Sequence, residues 1–234
     1  MRKGNLLKLV LVSFVLSACN SATTPISTGP ACAIDIDAAW AEYDRLMGDD
    51  DPNNDPAEPP RECVLPTREP SSNLVINPTL RDFGQEDEEK MRDALERLEI
   101  VINSVEFKQK VIDHVWRGER TFNDNDGLTN EEIYEKLMSG KEDLLPELDQ
   151  EIDLDMTLYY RNNSTVGYTY PDTIKIWVND KFFSGYSLGQ VAANAIHEWT
   201  HKIGFTHDFR NNADRPYSVP YAVGSIVREM VDNL

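Results

Sequence analysis

Apolar residues recur at helical spacing through Met91, Leu95, Leu98, Ile102 and Val105, with charged residues between them. This spacing predicts one amphipathic helix over residues 85–115. Two later segments alternate instead. Leu154, Met156, Leu158 and Tyr160 interleave with Asp153, Asp155, Thr157 and Tyr159, while Ile174, Ile176 and Val178 interleave with Thr173, Lys175, Trp177 and Asn179. A period of two predicts two half-buried strands. Between them Val166, Gly167, Tyr168, Thr169 and Tyr170 form a short β-prone run closed by Pro171, and residues 74–76 predict a first strand. Thr129 with Glu132, and Ser187 with Gln190, have capping-box spacing, so helices are expected to start there. His114 lies near the end of the first helix, where a lone histidine reads as structural. Helices mixed with strands, without an internal repeat, indicate an α+β domain over residues 71–234, with helices packed on a sheet.

Upstream of residue 71 the pattern changes. Arg2, Lys3 and Lys8 precede an apolar run, Leu9 to Leu16, which is shorter than the roughly 20 residues a spanning helix needs. It reads as an export signal. The following Leu16-Ser17-Ala18-Cys19 resembles a bacterial lipobox. That resemblance implies removal of residues 1–18, lipidation of Cys19 and a bacterial lipoprotein held at the cell envelope, at the outer membrane or cell surface, by its lipid anchor alone. Residues 19–70 then form a lipidated tether and an irregular segment. Residues 20–31 are rich in Ser, Thr and Pro, 38–47 suit one short helix, and the Asp-, Asn- and Pro-rich 48–60 read as a solvated linker better than as a calcium loop. With Cys19 lipidated, Cys32 and Cys63 remain, and an oxidising compartment favours a disulfide between them.

The chain carries 23 basic and 41 acidic residues, a net charge of −18. Removing residues 1–18 takes away three basic residues and no acidic ones, leaving about −21. Such a surface disfavours nucleic acid and anionic lipid as partners. A monomer is expected. Asn123-Asp124-Asn125-Asp126-Gly127 resembles the start of an EF-hand loop. With Gly127 at loop position six, however, Phe122 and Ile133 would occupy positions where calcium needs carboxylates. A turn feeding the helix at Thr129 fits better, and calcium is weakly supported.

The chemistry concentrates in His197-Glu198-Trp199-Thr200-His201-Lys202-Ile203-Gly204-Phe205-Thr206-His207, which uses three of the chain's four histidines. His197 and His201, four residues apart, are neighbours on one helix face, and two imidazoles there can reach one Zn²⁺. Glu198 is offset around the helix, placed to reach an attacking water rather than the metal. Gly204 suits the sharp turn that ends a helix and lets His207 return as third ligand. Three neutral histidines leave a fourth position open, as in catalytic rather than structural zinc sites.

This run resembles the HExxHxxGxxH signature of the metzincin clan of zinc peptidases, and the likeness extends over residues 71–234. It implies a twisted mixed sheet with an antiparallel edge strand, two long helices and a small C-terminal subdomain ending in a helix. It further implies that residues 166–170 hold an extended peptide substrate, and that the protein is a zinc endopeptidase with Glu198 as general base. Asp208 after the third histidine resembles the adamalysin-type subgroup. One departure stands out. Metzincins carry a methionine turn after the third histidine, whereas the only downstream methionine here is Met230, in an expected C-terminal helix. Ser218-Val219-Pro220-Tyr221 looks like that turn with Pro220 in the methionine's place, and leaves Tyr221 one residue out of register with the tyrosine that assists the transition state in some relatives. Tyr221 remains a candidate. The departure motivates an alternative, a non-catalytic zinc-containing binding lipoprotein of the cell envelope.

Overall fold

Four strands form one mixed sheet in the order β1-β2-β4-β3. In the computed structural model, residues 65–234 are described. The expected signal segment, the expected short helix, the acidic linker and Cys19, Cys32 and Cys63 lie outside them. Strand β1 (Val75–Arg81) runs parallel to β2 (Glu151–Tyr159), which runs parallel to β4 (Lys175–Asn179). The short β3 (Gly167–Thr169) pairs antiparallel with β4 and forms an edge. The alternating residues behave as the period of two requires. Ile152, Leu154, Met156 and Leu158 are buried, the intervening residues are half-exposed, and Met156 and Leu158 lie opposite Ile176 and Val178. Strand β1 is longer than residues 74–76 and contains Pro78, which an edge strand accepts because one side of its backbone makes no ladder bonds.

The helix expected over residues 85–115 is two helices, α1 (Gln85–Ile102) and α2 (Val105–Ile112). Hydrophobic spacing continues across the break, but backbone capping overrides it. Asn103 turns its amide to Leu74, donating to its carbonyl at 2.7 Å and accepting from its N–H at 2.9 Å, which ties the end of α1 to the approach to β1. Ser104 then caps α2 by accepting from the N–H of Phe107 at 3.1 Å. His114, beyond α2, stacks on Phe122 with centroids 4.1 Å apart, the structural role its position suggested. Asn123 to Gly127 form a turn, in which Asn125 accepts from the N–H of Gly127 and donates to the carbonyl of Leu128. That turn leads into α3 (Asn130–Met138) through the Thr129–Glu132 capping box.

After β4 a single turn, α4 (Asp180–Phe183), leads to α5 (Leu188–Lys202), opened by the Ser187–Gln190 capping box. The chain ends in α6 (Val219–Asp232). Residues 218–221 do not form a separate turn: a 3₁₀ turn (Arg215–Tyr217) passes at Ser218 into α6, where Pro220 sits in the first turn. Proline is tolerated there because the first N–H groups of a helix have no intrahelical partner. No C-terminal subdomain separates off, since Val219, Val223, Val227 and Val231 join the same buried core as Leu98, Met156 and Trp199. None of the described helices is long and apolar enough to cross a membrane.

Trp199, fully buried at the centre of this core, donates its indole N–H to Glu142 at 2.6 Å, and the same carboxylate oxygen accepts from the N–H of Asp153 at 3.1 Å. Burial raises the Glu142 pKa above the ordinary carboxylate value. Trp199→Phe removes one donor and leaves that carboxyl under-satisfied, so a loss of about 1–3 kcal/mol is expected in urea unfolding. Combining it with Glu142→Gln should recover part of the loss, and a purely additive double variant would contradict this coupling.

Candidate metal centre

Helix α5 carries His197 and His201 on one face, with ring centroids 5.1 Å apart. The helix ends at Lys202, and Gly204 reverses the chain with φ of +91°, a left-handed conformation that costs glycine little and other residues much more. His207 thereby returns to the pair, its ring centroid 5.1 Å from that of His197 and 5.0 Å from that of His201. The three ligand nitrogens all lie within 4.8 Å of one another, and this is the one such group of His, Cys, Asp or Glu among the described residues. It could hold a metal ion. Gly204→Ala is expected to destabilise the fold by about 1–2 kcal/mol and to weaken metal affinity through His207. Calorimetric titration with Zn²⁺ beside thermal unfolding reads the two effects, and an unchanged affinity would show that His207 does not depend on this turn.

The donor set suits a metal because each ring is already oriented. His201 bonds the Phe205 carbonyl through Nδ1 at 2.7 Å, His207 meets the Asp208 carbonyl through Nδ1 at 3.1 Å, and His197 bonds the backbone of Pro220. A carbonyl can only accept, so each of these bonds places the proton on the outward nitrogen and leaves the inward one with its lone pair. The inward Nε2 atoms of His197 and His207 stand 3.3 Å apart. Two lone pairs do not hydrogen-bond to each other. Instead, two nitrogens each about 2.0–2.1 Å from a tetrahedral ion would stand about 3.3–3.4 Å apart. The electrostatics agree: burial and the neighbouring rings lower the His197 pKa to about 3, and burial lowers those of His201 and His207. All three are neutral at physiological pH, as metal ligation requires.

Glu198 is 6% exposed, and burial pushes its pKa up to about 8, with Lys202 opposing the shift. A cation in the histidine cluster would favour the ionised carboxylate. Tyr221, placed by the first turn of α6, lies with its ring 4.5 Å from that of His197 and 4.8 Å from that of His207. Its hydroxyl accepts from Arg215, whose Nε is buried without a partner. These groups line a cleft of about 750 Å³, together with residues 166–169 and Phe209. At its wall β3 approaches α5 so closely that a Cβ on Gly167 would stand 2.7 Å from the Asn194 amide nitrogen and 3.1 Å from a Glu198 carboxylate oxygen.

The structure thus brings His197, Glu198, His201, His207, Tyr221 and residues 166–169 to one cleft, whereas Tyr170 does not line it and the strand expected over residues 166–170 is confined to Gly167–Thr169. It leaves His114 outside. Sequence reasoning missed Arg215 and Lys202. Spacing by four places Lys202 on one helix face with Asn194 and Glu198, but no sequence signal shows that it is buried or what it bonds. Arg215 had no local signal, since a 3₁₀ turn brings it to the cleft. No protein-family model, curated protein or solved structure matches the chain.

Proposed function

We propose that this protein is a zinc endopeptidase of the metzincin type, held at a bacterial cell envelope by lipid on Cys19. One observation carries the reading: three oriented, neutral histidines converge beside a buried glutamate, in a cleft walled by an antiparallel edge strand. His197, His201 and His207 would hold the ion. Zn²⁺ there supplies a Lewis acid that polarises the scissile carbonyl and acidifies a water molecule. Strand β3 offers its free edge to the substrate main chain, adding the peptide to the sheet. Glu198 takes the proton of the attacking water on its carboxylate and passes it to the leaving amine. Tyr221 and Arg215 are the donors across the cleft, available to negative charge developing on the carbonyl oxygen. Pro220, in the position where the resemblance places a methionine, supports His197 through its backbone instead.

The test is metal analysis of the purified chain from residue 20 onward, combined with a cleavage screen on proteome-derived peptides. Stoichiometric zinc with cleavage supports the reading. Stoichiometric zinc without cleavage of any peptide argues for the binding-lipoprotein alternative.

A further inference from the structure

Asn194, Glu198 and Lys202 form one stripe along α5, because residues four apart share a helix face. The hairpin β3–β4 is fastened to this stripe at two points. At one, Gly167 lies against Asn194 and Glu198. At the other, the Lys202 ammonium donates to the Thr169 hydroxyl and to the carbonyls of Tyr170, Thr173 and Lys175. These four oxygens span the whole connection from the last residue of β3 to the first of β4.

Lys202 is only 6% exposed, and no carboxylate forms an ion pair with it among the described residues; Glu198 and Asp172 act on it at longer range. Burying an ammonium among neutral oxygens costs desolvation that a methionine of similar volume would avoid. Core packing therefore does not account for lysine here. What an ammonium adds is geometric, since its three N–H donors gather four oxygens from one loop at a single point on the metal-binding helix.

Resting on the peptidase reading above, we propose that Lys202 is a positioning residue that fixes the substrate-pairing edge of β3 relative to the histidine cluster and Glu198. It touches no reacting atom and acts through the strand. A peptide that pairs with β3 is thereby delivered in register with the metal, whereas a ligand that reaches the metal without pairing gains nothing from Lys202.

The test compares Lys202→Met with the parent chain in a Glu198→Gln background, loaded with zinc. Four readouts are taken: hydrogen exchange of residues 166–175 without ligand, affinity for a peptide of about ten residues taken from the cleavage screen, affinity for acetohydroxamate, a small metal chelator, and zinc content. Exchange in the hairpin is expected to quicken by about tenfold and peptide affinity to weaken by about tenfold, while hydroxamate affinity stays within about twofold and zinc content is unchanged. Thr169→Val, which removes one of the four oxygens, should shift the same two readouts less; it also carries the comparison if Lys202→Met does not fold. Equal losses for peptide and hydroxamate would overturn the proposal in favour of general support of the metal site. Unchanged hairpin exchange would overturn it outright. If the parent neither cleaves nor binds peptides, the peptidase reading fails, and the exchange measurement still decides whether Lys202 holds the strand.

Discussion

Replacing Glu198 by glutamine lowers peptide cleavage by about 10²–10⁴-fold while zinc remains bound at one ion per chain. The size follows from what glutamine removes. The amide keeps the shape and burial of the carboxyl group but cannot accept a proton, and positioned general bases contribute rate factors of this order. The metal persists because no ligand is lost: His197, His201 and His207 keep their bonds to Pro220, Phe205 and Asp208. Glu198 is also held at a raised pKa in the metal-free site, so a neutral amide there carries no folding penalty of its own. Steady-state cleavage with metal analysis on the same sample separates the outcomes. A variant that cleaves as well as the parent would rule out Glu198 as the base, and unchanged biological activity would point to the non-catalytic alternative.

The second large effect is on stability, and it depends on pH. In the metal-free protein His197 has a pKa of about 3, and His201 and His207 are also lowered. As pH falls below about 6.5 the unfolded chain takes up protons that the folded one refuses, so stability drops on the acid side. Glu198 has the opposite sense. Its folded pKa of about 8 lies above the ordinary 4.5, so the folded form binds a proton that the unfolded form releases. Its contribution is complete below about 4.5 and is lost as pH rises towards 8. The three histidines outweigh the one glutamate on the acid side, placing the metal-free optimum near about pH 6.5. Zinc at about a thousand times its Kd adds about 4 kcal/mol. A cation beside Glu198 also favours the carboxylate, so the stabilisation by zinc should widen from pH 6.5 to 8 and disappear at strongly acid pH, where the ligands must lose protons to bind. Thermal unfolding with and without zinc across this range is the measurement. An increment equal at pH 6 and pH 8 would contradict the electrostatic picture.

Much of this site was legible because its determinants are local. Spacing by four places His197 and His201 together on any helix, the Ser187–Gln190 capping box fixes where that helix starts, and Gly204 marks where it ends. Strict alternation gave β2 and β4 nearly to their ends. The break at Asn103 was not legible, since the apolar spacing runs through it and the deciding bonds go to Leu74, distant in sequence. The passage from Arg215 into α6 was hidden for a similar reason. Ser218 to Tyr221 read as an isolated turn, while the burial of Val219, Val223 and Val227 against the core makes it the start of a helix. Lys202 shows a third kind of limit, because a helical lysine normally reads as solvated, and only the folded hairpin supplies the oxygens that bury it.

The brevity of β3 has its own consequence. An unpaired strand edge invites a neighbouring molecule's strand as readily as a substrate, and long flat edges seed aggregation. Here the edge is three residues long, and Pro171, without a backbone N–H, follows two residues after it ends. A flexible peptide can lie down on so short a template, but a pre-formed strand of a second copy would find too few bonds to offset the ordering it requires. The cleft can therefore stay open at high protein concentration without the molecules zipping together.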